Sequence, residues 1–356
     1  MNTFKYMEKY GYEQLVLFHD KETGLKGITC IHDTTLGPSL GGTRIWNYEN
    51  EDDAILDALR LARGMTYKNA AAGLNLGGGK TVIIGDANTC KSEAFFRAFG
   101  RFVQSLNGRY ITAEDVNTTT KDMAYIKMET DHVVGLEGKS GDPSPITALG
   151  AFHGIRAALK HKFGNDEIKG RSFAIQGVGK TGHYLMNYLY EAGAKTIYFT
   201  DINEKAIDII KKDHPEAIYV KPDDIYSMKV DVFAPCALGG ILNSKTIPLI
   251  EAPIVAGIAN NVLQDEVKDS KELKKKGILY APDFVINAGG VINVYHELKG
   301  YIKEDVMNDV KKIYDRLIEI FKIAEVEDVP TQKAANIFAE NRIKQIHNIH
   351  HNYIPR

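Results

Sequence analysis

The sequence predicts an α/β protein with two domains. A short apolar strand at 171–176 runs directly into a glycine motif, and a second apolar strand at 195–201 ends in an acidic residue. A strand, the pattern G-x-G-x-x-G, a helix and a strand ending in an acid are typical of a Rossmann dinucleotide-binding domain. Because this pattern begins only at residue 177, we expect a separate domain to precede it.

The segment before the glycine motif alternates between strands and helices, as in a mixed α/β domain. The predicted strands are 14–19, 26–32, 81–85 and 109–113, and the predicted helices are 51–72 and 92–106. Apolar residues recur at helical spacing along 51–72, which gives this helix one buried face. Thr119 and Asp122 form a capping box that opens a further helix.

The segment after the glycine motif has the pattern of a doubly wound parallel sheet. Predicted strands alternate with helices at about 195–201, 216–220, 230–234, 252–256 and 277–280, and the chain beyond about 303 is helical and charged. A stretch rich in Gly, Ser and Pro at 138–145 is the predicted hinge. We therefore divide the chain into domains 1–146 and 147–326, with 327–356 packing back on the first.

The glycine motif and its acidic partner indicate which dinucleotide binds. The motif consists of Gly177, Val178, Gly179, Lys180, Thr181 and Gly182, and Asp201 ends the next predicted strand. The first glycine allows a tight turn, the second lets the backbone approach the pyrophosphate, and the third lets the helix pack closely on the strand. The pyrophosphate then sits at the helix N-terminus, which favours an anion. A carboxylate at Asp201 would bind the ribose hydroxyls and repel a 2′-phosphate, so NAD is favoured over NADP.

Composition indicates an enzyme of the cytoplasm. The 356 residues include 44 Lys and Arg against 46 Asp and Glu, so the net charge does not favour binding to nucleic acid or to a membrane surface. Apolar runs fall far short of the ~20 residues of a membrane span, and the N-terminus lacks the apolar stretch of a secretory signal. Cys30, Cys90 and Cys236 are few, scattered and odd in number, so a disulfide framework is not expected.

Two other motifs do not fit their usual functions. Gly79-Lys80-Thr81 and Gly179-Lys180-Thr181 each resemble the end of a nucleotide-triphosphate loop, but the required first glycine falls at Leu74 and Ala174. The histidines near the C-terminus are more simply explained as polar residues closing a final helix than as a metal site; they are His347, His350 and His351.

The first domain carries two lysines and a carboxylate that suggest chemistry. Lys68 ends the long helix, Lys80 lies between a glycine-rich loop and an apolar strand, and Asp115 follows the strand 109–113. A second glycine-dense loop, 36–44, could offer backbone N–H groups to a carboxylate. Burial and a nearby cation would lower the pKa of Lys80 and make it a base near neutrality. Taken singly, the lysines could equally be solvated, with Lys68 stabilised by the helix dipole, so both explanations stay open at this point.

Four segments resemble the amino-acid dehydrogenases of the glutamate/leucine/phenylalanine/valine family. They are L-G-P-S-L-G-G-T-R at 36–44, M-T-Y-K-N-A at 65–70, G-L-N-L-G-G-G-K at 73–80 and I-N-A-G-G-V-I-N-V at 286–294. The resemblance spans nearly the whole chain. It implies an N-terminal substrate and oligomerisation domain, a Rossmann domain and an active site in the cleft between them. It also implies a reversible oxidative deamination of an L-amino acid to a 2-oxo acid, ammonia and NADH, without a metal.

The same resemblance assigns roles to matching positions. Lys68 would bind the substrate carboxylate, Lys80 would be the general base that activates water, and Asp115 would carry a proton to and from the substrate nitrogen. Asn261 would help to fix the substrate, although a turn asparagine explains it as well. Thr147 and Asn287 match positions near the nicotinamide, and Thr147 could instead be a helix N-cap. Closure about the hinge is expected during the cycle.

The side-chain pocket is expected to be apolar. Leu40, Ala113, Val291 and Val294 match the pocket positions of family members that act on leucine, and Gly41 is assigned to the substrate beside Leu40. No cation is present at these positions to receive a second carboxylate, so glutamate is disfavoured. We expect leucine, valine and isoleucine as substrates, with phenylalanine or valine dehydrogenase of the same family as the alternative.

Two other function classes fit the first domain less well. A catalytically inactive NAD-binding regulator would lack Lys80 or Asp115, and both are present. A 2-hydroxy-acid oxidoreductase would more commonly use a His–carboxylate pair as its acid and base, whereas the first domain carries lysines. The partners implied are an amino acid, its 2-oxo acid and ammonia, with neither nucleic acid nor membrane. The resemblance further implies a homo-oligomer, an octamer built through the first domain.

Overall fold

The structure is a computed structural model that describes residues 2–349, and these form two compact units. The first contains residues 2–142, 294–301 and 339–349, and the second contains 143–293 and 302–338. The first boundary lies at 142 rather than at the expected 146. Residues 327–338 belong to the second unit rather than the first, so the segment that returns to the first unit is shorter than expected.

The first unit is built on a five-stranded mixed sheet. Its elements are α1 (Thr3–Tyr10), β1 (Gln14–His19), β2 (Lys26–Asp33), β3 (Ser39–Trp46), α2 (Glu51–Ala71), β4 (Gly77–Ile84), α3 (Glu93–Ser105), β5 (Tyr110–Glu114) and α4 (Thr120–Lys127). The strand order is β1-β2-β4-β3-β5. The pairs β1–β2 and β2–β4 are antiparallel, while β3 runs parallel to both β4 and β5. The predicted strands and helices of this segment are present, but β4 begins four residues earlier than expected and β3 was not predicted as a strand.

Helices cover both faces of this sheet. On one face, α2 packs its alanines and Leu59 against Ile28, Cys30 and Val82. On the other face, the phenylalanines of α3 and Met123 of α4 pack against Ile45 and Ile83. The alternation of side chains along each strand separates the two layers. The predicted capping box of α4 is confirmed, since the Thr119 side chain and Asp122 satisfy each other's backbone N–H groups.

The two glycine-rich segments are largely strand, and the expectation of loops was wrong there. Residues from Ser39 and from Gly77 onward belong to β3 and β4. Glycine is needed because the backbones approach too closely for side chains: a Cβ at Gly41 would lie 1.6 Å from the carbonyl oxygen of Gly79. Periodicity cannot reveal such a strand, because glycines carry no side chain to alternate.

The second unit contains a six-stranded parallel sheet with helices between its strands. Its elements are α5 (Ser144–Phe163), β6 (Ser172–Gln176), α6 (Lys180–Glu191), β7 (Thr196–Thr200), α7 (Glu204–Asp213), β8 (Ile218–Tyr219), β9 (Val232–Pro235), β10 (Ile254–Val255), α8 (Glu266–Lys275), β11 (Leu279–Tyr280), α9 (Asp283–Ile286), α11 (Lys303–Lys311) and α12 (Ile313–Val326). The helix α10 (Gly289–Glu297) begins in this unit, and its residues from Val294 onward belong to the first unit. The order β11-β10-β9-β6-β7-β8 confirms the doubly wound sheet. The order reverses at β6, and ligands of such sheets bind at the carboxyl ends of the strands beside that reversal.

The last described element is α13 (Thr331–Ile349), which includes His347. His350 and His351 lie outside the described residues. Across residues 2–349, no helix combines the length and apolar character needed to cross a bilayer.

Candidate active site

A buried ion pair joins the two residues predicted to carry out the chemistry. The Lys80 Nζ lies 2.7 Å from Asp115 Oδ2. Lys80 is the fourth residue of β4 and is 5% exposed, and Asp115 follows β5 directly. The two residues lie close together because only one strand, β3, separates β4 from β5 in the sheet.

Arg44 is a third member of this cluster, and the sequence interpretation gave it no role. Its Nε donates to the same Asp115 Oδ2 at 2.8 Å, and its Nη1 donates to Asp57 Oδ2 of α2 at 3.0 Å. The signal that could have identified it is the strand period. Leu40, Gly42 and Arg44 are every second residue of β3, so all three lie on the same face of the sheet.

The environment shifts the pKa values of both members of the pair. Burial lowers the pKa of Lys80 and the Arg44 charge lowers it further, while Asp115 opposes both effects. Burial alone would raise the pKa of Asp115, but the positive charges of Lys80 and Arg44 outweigh it and hold that pKa well below its usual range. Asp115 is therefore a carboxylate at neutral pH, and Lys80 loses its proton more readily than a solvated lysine.

Gly42 makes room for the carboxylate. A Cβ at this position would lie 2.4 Å from the Glu114 carbonyl oxygen and 2.8 Å from the Asp115 Cβ. Any side chain at position 42 would therefore displace the backbone that carries Asp115.

Lys68 lies in the last turn of α2 and is half-buried. Its neighbours on the helix fix that end of α2 to the start of β4. The Asn69 amide donates to the Gly77 carbonyl at 2.6 Å, and a Cβ at Gly78 would lie 2.1 Å from the Thr66 nitrogen. Lys68 is thus held on a helix end that contacts the strand only a few residues before Lys80.

Leu40 and Ala113 lie on the same face of the sheet as Lys80. Leu40 is in register with Gly78 of β4, two residues before Lys80, and Gly42 is in register with Ala113 of β5. Both side chains are apolar and over nine-tenths buried. The Gly41 carbonyl accepts a hydrogen bond from the Tyr110 hydroxyl at 2.6 Å, so this oxygen is committed to the fold.

The other two predicted pocket residues lie on α10. Val294 is half-buried and belongs to the first unit, whereas Val291 is buried and belongs to the second.

The glycine motif of the second unit has the shape of a dinucleotide cradle. Gly177 has φ +96°, and a Cβ there would lie 2.6 Å from the Ala237 Cβ. A Cβ at Gly182 would lie 2.2 Å from the Gly177 carbonyl oxygen, so only glycine lets α6 pack this closely. At Gly179, by contrast, no atom of the described chain lies within 4 Å of such a Cβ. The three glycines therefore differ as the motif requires, with open space where a pyrophosphate approaches.

Polar groups around the motif fit the rest of a dinucleotide. No side chain caps α6 at Gly179, which leaves its N-terminus suited to an anion. Asp201 accepts hydrogen bonds from the Val178 nitrogen at 2.8 Å and from the Asn203 nitrogen at 2.9 Å, which holds the carboxylate beside the motif. Two buried oxygens at the ends of β6 and β7, Gln176 Oε1 and Thr200 Oγ1, have no partner among the described residues. These features suit a polar ligand.

Three further predicted residues have structural contacts of their own. Thr147 is inside the first turn of α5 and is not its N-cap, and its hydroxyl donates to the Pro143 carbonyl at 2.9 Å. The Asn287 amide nitrogen donates to the Asn260 Oδ1 at 2.7 Å and to the Ile258 carbonyl at 3.0 Å, which fixes the loop after β10. Asn261 is exposed on that loop with φ +51°.

Comparison with known proteins identifies the same dehydrogenase family across nearly the whole chain. The family model for the Glu/Leu/Phe/Val dehydrogenase dimerisation domain matches residues 13–132, and the model for glutamate/leucine/phenylalanine/valine dehydrogenase matches 138–208 and 200–350. A leucine dehydrogenase of Geobacillus stearothermophilus is 55% identical over 97% of this chain and 94% of its own length. A phenylalanine dehydrogenase of Lysinibacillus sphaericus is 48% identical over 91% of this chain and 87% of its own.

A solved structure agrees with these matches. The crystal structure of L-tryptophan dehydrogenase from Nostoc punctiforme has a TM-score of 0.86 and 48% identity, covering 96% of this chain and 99% of that one. Since both family models and these relatives cover almost all of the sequence, the chain belongs to the glutamate/leucine/phenylalanine/valine dehydrogenase family.

Proposed function

We propose that this protein catalyses the NAD-dependent, reversible oxidative deamination of L-leucine, L-valine and L-isoleucine to the 2-oxo acid, ammonia and NADH. The observation that carries the proposal is the 55% identity to a leucine dehydrogenase over 97% of the chain. The buried Lys80–Asp115 pair and the open glycine cradle supply the chemistry that such a reaction needs.

Lys80 is the general base of the proposed reaction. Its burial and the neighbouring Arg44 charge lower its pKa, so the neutral amine forms at a lower pH than in a solvated lysine. The amine takes a proton from water as the water attacks the imino carbon of the oxidised substrate. In the reverse direction, the ammonium of Lys80 returns that proton.

Asp115 carries a proton to and from the substrate nitrogen. Lys80 and Arg44 both contact its Oδ2, and no hydrogen bond from the described residues reaches Oδ1. Oδ1 is therefore the oxygen available to the substrate. Lys68, held near the start of β4, supplies the charge that binds the substrate carboxylate.

The cofactor is held by the second unit. Bound NAD supplies the hydride acceptor for the substrate α-carbon. The Gly177–Gly182 motif and the α6 N-terminus bind the pyrophosphate, and Asp201 binds the ribose hydroxyls. Thr147 and Asn287 are proposed to orient the nicotinamide, with Asn287 doing so through the loop that it fixes.

The side-chain pocket selects aliphatic substrates. Leu40 and Ala113 are buried apolar residues on the face that carries Lys80, and Val291 and Val294 complete the proposed set. A carboxylate at the substrate's far end would be left without a partner against these side chains. Aromatic amino acids are the second candidate substrates, because relatives named for tryptophan and phenylalanine are 48–49% identical.

The active protein is proposed to be a homo-oligomer. The matching N-terminal family model is described as a dimerisation domain. In the first unit, β1 is an edge strand and Leu17 on it is exposed, which leaves a surface for another copy. An octamer is the expected assembly, and light scattering after gel filtration would measure it.

A single assay tests the reaction class. The protein is mixed with NADH and 4-methyl-2-oxopentanoate, with and without ammonium, and NADH absorbance is followed. We expect consumption only with ammonium. Consumption without ammonium would indicate a hydroxy-acid dehydrogenase, and no consumption in either case would contradict the proposal.

A matched pair of lysine variants tests the carboxylate contact. Lys68→Ala is expected to raise KM for leucine and for the 2-oxo acid, while exposed Lys21→Ala leaves both unchanged. An unchanged KM in Lys68→Ala would remove Lys68 from the binding site.

A further inference from the structure

A continuous chain of charged contacts connects the proposed catalytic pair to the surface of the first unit. It runs from Lys80 to Asp115, then to Arg44, Asp57 and the Tyr48 hydroxyl, which donates to Asp57. Asp57 and Tyr48 line an open cavity of about 490 Å³ together with Arg44 and Arg60. Lys80 is the most buried member of the charge chain, with 6% of its side chain exposed against 25% for Asp115, 22% for Arg44 and 30% for Asp57.

Arg44 occupies a particular place in this chain. Its Nε contacts the same oxygen of Asp115 that Lys80 contacts, so the carboxylate is held from two sides. Because the two contacts, at 2.8 and 2.7 Å, meet at one oxygen, the Arg44 Nε and the Lys80 Nζ can lie no further apart than the sum of these distances. Asp57 holds the guanidinium from its other side, and this fixes its orientation.

We propose that Arg44 is a positioning residue of the reaction: it holds Asp115 through Oδ2 with Oδ1 directed to the substrate, and it keeps a permanent positive charge beside Lys80. This inference rests on the roles proposed above for Lys80 and Asp115.

The need for such a residue follows from the proton cycle. Lys80 must become neutral to act as a base, and its attraction for the Asp115 carboxylate is then largely lost. Asp115 would be left in a site where burial raises its pKa. The Arg44 guanidinium stays charged throughout, because the neighbouring carboxylates of Asp115 and Asp57 raise its pKa against the effect of burial. The carboxylate thus keeps a charged donor when Lys80 changes state.

The charge of Arg44 also acts on Lys80 itself. A cation bound to the same carboxylate oxygen disfavours the ammonium form of Lys80, and this adds to the effect of burial.

Other titratable side chains also lie near Lys80. Those on the elements packed against β4 are Asp57 and Lys68 on α2, Cys30 and His32 on β2, Arg44 on β3, and Glu114 and Asp115 at the end of β5. Burial keeps the Cys30 thiol neutral by raising its pKa and favours neutral His32 by lowering its pKa. Asp115 and Asp57 oppose Arg44 at Lys80.

The test is the pH profile of kcat/KM for leucine deamination, measured on the full chain with saturating NAD. Substrate ionisation is common to every variant, so a difference between variants reports the enzyme. Arg44→Met keeps the length of the side chain and removes the charge. Two unit charges at about this separation interact by roughly 0.5–2 pK units between bulk water and an effective dielectric of about 20. The acidic limb of Arg44→Met is therefore expected to move to higher pH by that amount, with a lower plateau.

Three further variants make the result specific. Asp57→Asn removes an opposing charge, so its limb is expected to move to lower pH. Arg44→Lys restores a positive charge and is expected to recover most of the plateau and the wild-type midpoint. Arg60→Met is the matched control, because Arg60 is an exposed arginine that lines the same cavity outside the charge chain. Its midpoint is expected to stay within about 0.2 units of wild type, since solvent and salt screen its charge.

The inference is overturned if Arg44→Met keeps the wild-type midpoint and plateau, or if Arg44→Lys is as impaired as Arg44→Met. It is also overturned if Asp57→Asn shifts the limb in the same direction as Arg44→Met. Thermal melting of each variant identifies one that does not fold, and Asp57→Asn and Arg44→Lys then carry the test. A wild-type protein without leucine turnover would contradict the proposed function instead, so the two failures are distinguishable.

Discussion

Replacing Asp115 with asparagine is expected to lower stability in a pH-dependent way as well as abolish most turnover. Asparagine keeps the shape of the side chain and removes the anion that Lys80 and Arg44 share. The repulsion between these two neighbouring cations, about 0.8 kcal/mol in water and about 3 kcal/mol at an effective dielectric of about 20, is then no longer offset by a shared anion. We take about 2 kcal/mol, because 25% of the Asp115 side chain is exposed. Loss of the charged hydrogen bonds adds about 1 kcal/mol.

The pH dependence follows from Lys80. In Asp115→Asn, Lys80 loses the carboxylate that raises its pKa, so its folded-state pKa falls further below the unfolded value of about 10.4. The folded state then binds fewer protons than the unfolded state between these two pKa values, and stability rises with pH across that window. The pKa of Lys80 is already lowered in the wild type, so the deficit relative to wild type narrows with pH only between the two folded-state pKa values. Of the total loss of about 3 kcal/mol at pH 6.5, we expect about 1 kcal/mol to remain at pH 9.5.

Thermal melting of variant and wild type at each pH measures this difference. For units of this size, a change of about 1 kcal/mol corresponds to about 2–4 °C. The melting temperature of Asp115→Asn should therefore lie about 6–12 °C below wild type at pH 6.5 and about 2–4 °C below at pH 9.5. Glu22→Gln, which neutralises an exposed carboxylate, is the control and should change little at either pH. A deficit that is equal at both pH values would refute the electrostatic reasoning.

Four other outcomes are expected. Lys80→Ala should lose at least ~10²-fold in kcat with NAD binding retained, as measured by turnover and by fluorescence titration; near-native turnover would contradict its role as the base. Asp201→Ser should reduce the preference for NAD over NADP mainly by weakening NAD, and equal use of both by wild type would show that Asp201 does not select the cofactor. Gly179→Val should fold normally, because the space around Gly179 is open, but should bind NAD at least ~10-fold more weakly; unchanged affinity would place the pyrophosphate elsewhere. Ala113→Gly and Val294→Gly should each raise kcat/KM for phenylalanine relative to valine, and an unchanged ratio would mean that they do not line the pocket.

Local sequence was sufficient to predict the structure of the glycine motif and its acidic partner. The order of three glycines and an acid predicted a strand, a turn and a helix within one short stretch of chain, and each glycine has the environment that its position in the motif implies. These features are set by backbone sterics between residues close in the chain, so they could be predicted without the fold. The buried Lys80 was predicted for a similar reason, since it enters an apolar strand.

The sequence pattern did not predict the structure of the glycine-rich strands, and it did not predict which groups the polar side chains of Thr147 and Asn287 contact. The glycines of β3 and β4 were expected in loops, because strand periodicity is invisible without side chains. Thr147 was considered as an N-cap, but the first turn of α5 begins at Ser144 and the hydroxyl contacts Pro143 instead. Asn287 is part of the motif that resembles the family, but tertiary packing decides that its amide nitrogen donates to the loop after β10.

The sequence by itself determined the fold class, the family, the proposed dinucleotide cradle and the lysine and carboxylate of the proposed reaction. The tertiary structure alone decided which charges meet. Arg44 and Asp115 are 71 residues apart in the chain, and they make contact only because β3 lies between β4 and β5 in the sheet. Asp57 joins them because α2 covers that face. Electrostatic interactions depend on distance and burial, which sheet order and helix packing set, so a pattern along the chain does not contain them.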